Sequence, residues 1–279
     1  MTTEVAVMNK EAIALAADSA VTISFTDGSV SKTKIYNSAN KLYKLSPFHP
    51  VGIMIFNEAQ YMGIPWETII KLYREKIGKE TFSTVEEYSR DFFNFLEQRS
   101  KTIISETHER RTVIGLVSSY FTDIIWEQID ETVKDKLRES SLNEQEIGAI
   151  ANAVIKEHYD EWENYEKHPA FPEDFLIRFR EKYLPNIREQ RLRDFSGLPI
   201  SLEASEQLDE TAINLFYKNG RPNPLFSGVV FAGFGNNEIF PSCISYNVEM
   251  FVCKQLKYNQ DFRLESSERV NGCRKCVMR

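Results

Sequence analysis

The sequence lacks the long apolar run that a membrane-spanning helix requires. No apolar stretch of about 18 residues occurs, and the first residues do not join a basic segment to an apolar one, as a signal peptide does. Basic residues are in the minority, because 34 lysines and arginines stand against 41 acidic residues, a net charge of −7. Nucleic-acid and anionic membrane surfaces both need a basic face. These absences favour a cytoplasmic protein that binds neither nucleic acid nor membrane.

Motifs of metal and nucleotide chemistry are missing as well. The four histidines show no metal-ligand spacing, and the chain has no Walker A loop, no G-x-S-x-G elbow and no complete dinucleotide-binding glycine motif. The pair in "CRKC" could belong to a zinc or redox site, but the other two cysteines do not form a second close pair. Reduced thiols are the simpler interpretation for all four, Cys243, Cys253, Cys273 and Cys276. We expect neither a metal nor a cofactor.

The order of hydrophobic patterns along the 279 residues is strands, then helices, then strands again. Two short apolar runs, "EVAVM" (4–8) and "AIALAAD" (12–18), predict a hairpin that is covered on both faces. Further strands are expected at 40–46, 51–56, 226–235, 238–247 and 248–256. The two strand groups are too small to be separate cores, so we predict a single α+β domain. Its sheet core would come from 1–57 and 224–257, with a helical excursion over 58–222 and an atypical tail over 258–279.

Helical periodicity predicts the elements of this excursion. Gly78 is expected to end the first helix, and Thr84 with Glu87 would form a capping box for the second. Pro169, Pro172 and Pro185 are expected to mark breaks or first turns. Further helices are expected over 111–139, 143–164, 172–193 and 203–218.

Two threonines directly follow the initiator methionine. A threonine hydroxyl is a poor nucleophile and needs a base beside it, and one solution uses the α-amino group of the same residue when that residue is the first of the mature chain. An α-amino group ordinarily titrates at a pKa of about 7.7–8.0, and a neighbouring lysine would lower this value. Removal of Met1 would make Thr2 such a residue. "MTT" alone is a weak indication, since many proteins begin this way without any catalytic reason.

The longer segment "TTEVAVMNKEAIALAADSAVT" resembles the start of mature proteasome β-subunits and of their bacterial heat-shock relative. Those chains begin with Thr-Thr, run through two short apolar strands and reach a sequence close to "LAADSRAT". "NKLYKLS" is similar to the family's next strand, and "GIMIFNEAQ" to the strand and helix start that follow it. The resemblance covers roughly the first 60 residues well and the segment "SGVVFAGFG…EIFPSCISY" more loosely. It implies the four-layer αββα fold of N-terminal nucleophile hydrolases, with an enlarged helical insertion and possible incompleteness at the C-terminus.

The resemblance also implies roles for individual residues. Thr2 would be the nucleophile, Asp18 the acid that holds the active-site lysine, and Lys41 that lysine. A backbone N–H at Asn57 would donate to the oxyanion, while Ser19 and Thr22 would line the substrate pocket. The gap between the acid and the lysine is several residues longer than in proteasome subunits, so Lys32 or Lys34 could replace Lys41. The family has glycine where this chain has Asn57, and asparagine tolerates a positive φ better than most residues.

Three functions remain open from the sequence. The leading hypothesis is a self-associating threonine peptidase or amidohydrolase of proteasome type, which acts on a peptide without a cofactor. A related enzyme acting on a small amide is the first alternative, since fold does not determine substrate. The second is a catalytically inactive, proteasome-like scaffold that binds a partner through its helical block.

Overall fold

The computed structural model describes residues 4–18, 21–27, 30–36, 40–220, 226–265 and 274–278. The protein is a mixed α+β structure with antiparallel sheets. It divides into two compact units. The first comprises Met1–Thr102, Asn223–Met250 and Tyr258–Arg279, and the second comprises Ile103–Pro222 and Phe251–Lys257.

The strands form two main sheets. They lie at Glu4–Met8 (β1), Ile13–Ala17 (β2), Val21–Asp27 (β3), Val30–Tyr36 (β4), Leu42–Ser46 (β5), His49–Asn57 (β6), Gln60–Tyr61 (β7), Ile64–Pro65 (β8), Ser227–Gly233 (β9), Ser242–Val252 (β10), Gln255–Glu265 (β11) and Arg274–Met278 (β12). One sheet has the order β12-β1-β2, and the other has the order β11-β10-β9-β6-β5. β3 pairs with β4 and β7 with β8 in two small hairpins.

The two main sheets pack face to face within the first unit. On β1, Ala6 and Met8 point inward with Ile13, Leu15 and Ala17 of β2. They meet a second apolar layer on the larger sheet, formed by Met54, Phe56, Val230, Ala232 and Cys243. Side chains alternate between the two faces of a strand. The apolar run of β6 is nearly continuous, so its side chains point alternately into this interface and toward the opposite face of the sheet.

Helices α1 (Trp66–Ile77) and α2 (Val85–Ile103) also belong to the sheet-containing part of the chain. Phe92 and Phe93 of α2 pack their rings 5.3 and 5.9 Å from the ring of Phe231 on β9. The predicted helix start is confirmed, since Thr84 Oγ1 accepts a hydrogen bond from the Glu87 N–H at 3.2 Å. The carboxylate of Glu87 accepts from the Ser83 N–H instead of completing the box at Thr84. This unit therefore has a sheet–sheet–helix arrangement.

The second unit is mainly helical. Its helices are α3 (Glu106–Tyr120), α4 (Glu127–Leu137), α5 (Glu144–Glu163), α6 (Phe175–Asp194) and α7 (Leu202–Tyr217). A π-helical segment, Phe121–Trp126, joins α3 to α4, so the helix predicted over 111–139 is continuous but locally wider. Its core includes Phe179 of α6, whose ring lies 5.1 Å from that of Phe216 on α7. Among the residues that the structure describes, no helix is both long and apolar enough to cross a bilayer.

Two predictions about the later part of the chain are wrong. The segments predicted as separate strands over 238–247 and 248–256 contain one long strand, β10, and the turn falls instead at Cys253 and Lys254. Pro185 lies inside α6 and does not break it, because Tyr183 and Ile187 on either side are fully buried and their packing outweighs the lost backbone bond. The tail set apart over 258–279 contributes the end of β11 and all of β12 to the sheets.

Replacing Gly228 on β9 by alanine is expected to lower the free energy of unfolding by about 1–3 kcal/mol. A Cβ at this position would lie 2.1 Å from the ring of Phe56, which fills the sheet interface. Gly115→Ala is the matched control, because an added Cβ there meets nothing within 4 Å and the residue is exposed on α3. Helix propensity should make that variant about 0.5–1 kcal/mol more stable. Urea unfolding measures both, and equal stability of the two variants would contradict the close approach.

Candidate active site

The candidate site lies at the start of β1, on the face that this strand turns toward the larger sheet. Glu4, Ala6 and Met8 alternate on the buried side, while Val5 and Val7 lie on the other. Ala6 and Met8 belong to the apolar core, so Glu4 places a carboxylate at the end of an apolar row. It is the one charged residue of "EVAVM", which is the signal by which it could have been found from the sequence.

Lys41 contacts this carboxylate. It directly precedes β5, and its carbonyl oxygen accepts a hydrogen bond of 2.8 Å from the Ile55 N–H of β6. Its Nζ lies 3.4 Å from Glu4 Oε1, and the two residues are 4% and 0% exposed. The site thus contains a buried lysine, and the carboxylate that this lysine contacts belongs to Glu4, which is not among the residues expected from the resemblance.

Asp18 follows directly after β2 and is exposed. Burial raises the pKa of the Glu4 carboxyl above its ordinary value, and the nearby Lys41 ammonium opposes this rise. The negative charge of Asp18 adds a smaller contribution to the rise in the pKa of Glu4. The structure therefore brings Lys41 and Glu4 into contact, and the charge of Asp18 acts on the same carboxylate.

Asn57 ends β6 in the left-handed conformation anticipated for it, with φ of 59°. Its side-chain Nδ2 donates a hydrogen bond of 2.8 Å to the Phe226 carbonyl oxygen, which also accepts from the Glu58 N–H at 3.4 Å. These bonds fix the turn that follows β6. Asn57 lies two residues beyond Ile55, the residue that bonds to the Lys41 backbone, so about 7 Å of extended strand separates them.

The remaining residues that were expected to form the site lie on β3 and β4 or outside the described residues. Thr2 and Ser19 lie outside the described residues. Thr22 is on β3, opposite Ile35 of β4. Lys32 and Lys34, the alternatives to Lys41, are also on β4, in the hairpin that occupies the longer gap between Asp18 and Lys41. The choice of Lys41 over these two stays a prediction, and the observed burial and ion pairing of Lys41 favour it.

Two of the four cysteines, Cys243 and Cys253, are buried. Burial raises the pKa of the Cys253 thiol to about 11. Such a thiol is almost entirely protonated at neutral pH, so it is a poor nucleophile and metal ligand. Cys273 of "CRKC" lies outside the described residues. Within the part of the chain that the structure describes, no group of three or more His, Cys, Asp or Glu side chains could hold a metal ion.

A buried ammonium group can perform two tasks in acyl chemistry. It attracts a developing oxyanion, and it makes the protonated form of a neighbouring amine less favourable, so more of that amine is available as a base. Both effects are stronger away from bulk water, where Lys41 lies. The arrangement suits a reaction in which negative charge develops near the beginning of β1.

Comparisons with known proteins identify no family for this chain. No family model matches it, and neither a curated protein nor a solved structure matches it.

Proposed function

We propose that the protein is a threonine-type N-terminal nucleophile hydrolase, which cleaves a peptide or amide bond with Thr2 after Met1 has been removed. The observation that carries the proposal is the buried Lys41, which lies against Glu4 only two residues along the chain from Thr2. A lysine buried at this place is costly unless it is paired, and perturbed buried charges concentrate at functional sites.

The periodicity of β1 supports the position of the nucleophile. Residues two apart in an extended chain share a face and lie about 6.6 Å apart. An extended backbone through Thr2 would therefore place its hydroxyl on the same side as Glu4 and Lys41. The α-amino group of Thr2 would then lie near the Lys41 ammonium, which lowers the pKa of the amine and leaves more of it as free base.

The reaction would proceed through two acyl transfers. The Thr2 amine takes the proton of its own hydroxyl, directly or through water, while Oγ1 forms a bond to the substrate carbonyl carbon. Lys41 and a backbone N–H at Asn57 stabilise the resulting oxyanion. The C–N bond then breaks, the leaving amine takes the proton, and a water molecule hydrolyses the ester on Thr2 to regenerate the hydroxyl.

The layer arrangement of the first unit is compatible with the four-layer αββα fold that the resemblance implies. Its two packed sheets and the helices α1 and α2 correspond to three of the four layers. A second helical layer would lie on the outer face of β1 and β2, where Ala14 and Ala16 are exposed. The proposal includes a peptide as the preferred substrate and self-association of the chain.

Substitution of Thr2 tests the proposal. Purified wild-type protein is expected to begin at Thr2 and to gain the mass of one inhibitor when it is treated with an electrophile that reacts with both the amine and the hydroxyl of an N-terminal threonine. Thr2→Ala should still lose Met1, since alanine is also small, but should not be labelled because the hydroxyl is absent. Intact mass and N-terminal sequencing measure both steps.

Thr3→Ala provides the matched control, since it removes a hydroxyl one residue further along and should be labelled like the wild type. Undiminished labelling of Thr2→Ala would refute the assignment of the nucleophile. If short acyl amides are hydrolysed and peptides are not, the substrate is a small amide. If the folded wild type keeps Met1 and takes no label, the protein does not have this function.

A further inference from the structure

Glu4 is an unusual residue for its position. It is fully buried, it begins a strand whose other inward side chains are Ala6 and Met8, and only its Oε1 reaches Lys41. Its second oxygen, Oε2, is buried and has no hydrogen-bond partner among the described residues. A buried carboxylate with one unsatisfied oxygen carries a desolvation cost that is only partly offset.

Stability alone does not account for this pair. Apolar side chains of similar volume at both positions would often serve a core equally well or better. What the pair does accomplish is to fix the position of a flexible side chain, because a lysine ammonium on its four-carbon stem has many rotamers unless something holds it. The observed contact is that of Lys41 Nζ with Glu4 Oε1 at 3.4 Å, between two side chains that are both buried.

We propose that Glu4 is a positioning residue, which holds the Lys41 ammonium on the inner face of β1 beside the nucleophile. The inference rests on the proposed function for the identity of the nucleophile, but the contact between Glu4 and Lys41 stands independently of it. The resemblance implies Asp18 as the acid that holds the lysine, and Glu4, at the start of β1, is the carboxylate that the structure places in contact with it.

The first test uses the pH profile of labelling by the threonine-directed electrophile. Glu4→Gln removes a negative charge but keeps the shape of the side chain, so the site becomes more positive and the Thr2 amine loses its proton more readily. The acidic limb of the profile should move to lower pH by about one unit. A merely structural role would change the amount of labelled protein without moving the limb.

Glu11→Gln is the matched control, because it makes the same change of charge at an exposed position in the turn between β1 and β2. Its profile should coincide with that of the wild type. Glu4→Asp keeps the negative charge but moves it away from Lys41 by the length of one methylene group, so the acidic limb should move less than in Glu4→Gln. It is also a second variant for the case that Glu4→Gln does not fold. An acidic limb unmoved in both Glu4 variants would overturn the positioning role.

The second test does not need catalysis. In protein containing ¹⁵N-labelled lysine, the ammonium resonance of Lys41, assigned with Lys41→Arg, should be visible because burial and the ion pair slow its exchange with water. Glu4→Gln should broaden or remove this resonance, whereas Glu11→Gln should leave it unchanged. If the wild type takes no label, the proposed function fails, and the resonance alone then decides whether Glu4 holds Lys41; its persistence in Glu4→Gln overturns that contact.

Discussion

Lys41→Met is expected to lower the free energy of unfolding by about 3–5 kcal/mol, which is a large part of the stability of a typical domain. The substitution leaves the fully buried Glu4 without its cation and with the charge of Asp18 nearby. Glu4→Met should also be destabilising, because it leaves the buried Lys41 ammonium without the carboxylate that it contacts. The double variant Glu4→Met/Lys41→Met should recover most of the loss, since an apolar pair has no charge to desolvate.

The loss in Lys41→Met should depend on pH. Burial raises the folded-state pKa of Glu4 above the ordinary value of 4.5, and removal of Lys41 takes away the influence that opposes this rise. A raised pKa means that the native state binds the proton more tightly, so stability is retained below the unfolded pKa and is lost as the pH rises through the folded pKa. Urea unfolding at about pH 4.5 and pH 8 measures the change. A deficit that is equal at both values would contradict a buried, titrating Glu4.

Glu109→Ala is expected to have a comparable effect on the second unit, a loss of about 3–5 kcal/mol. Glu109 is 4% exposed, and its Oε1 accepts hydrogen bonds from the Cys253 N–H at 2.8 Å, from Lys182 Nζ at 3.1 Å and from the Tyr183 hydroxyl. Truncation leaves the buried tyrosine hydroxyl and the turn amide without this acceptor. Glu109→Gln, which retains an oxygen at the same place, is the control and should lose less.

A second substitution tests the turn at Cys253 and Lys254 separately from the other hydrogen bonds that Glu109 accepts. Cys253 and Lys254 have φ of 49° and 66°, as in a two-residue hairpin turn in which both central residues are left-handed. Lys254→Gly should relieve about 1 kcal/mol of this strain and partly compensate for Glu109→Ala. Thermal unfolding of the single and double variants measures the compensation. If Lys254→Gly is destabilising in both backgrounds, the carboxylate is not what maintains the turn.

Much of the local structure follows from short sequence signals. Thr84 starts α2 and Gly78 ends α1, because both signals act through bonds within one turn of the helix. The apolar runs around Val5 and Leu15 form the predicted hairpin, although Ala14 and Ala16 are exposed where coverage of both faces was predicted. Asn57 adopts its left-handed conformation. Each of these features depends on residues that are close together along the chain.

Other features depend on partners that are distant in sequence. Cys253-Lys254 is not a turn-forming dipeptide, and it turns where Glu109, 144 residues away along the chain, accepts from its amide. Glu4 and Lys41 are 37 residues apart, and neither residue alone indicates an ion pair. Pro185 lies within α6 because the residues on either side of it are packed in the core of the second unit. The sequence periodicity around the proline does not indicate this packing. Such long-range contacts decide the site more than its local motifs do.

The pairing of β1 with β12 has a consequence for the order of folding. Glu4 is aligned with Met278, so the strand that carries the candidate site acquires one of its two neighbours from a segment that is very distant along the chain. Closing so long a loop is entropically costly and belongs to the slow steps of assembly. β1 therefore cannot complete its sheet until β12 has been synthesised and has folded back onto it, so the strand of the candidate site gains its full set of neighbours late in folding.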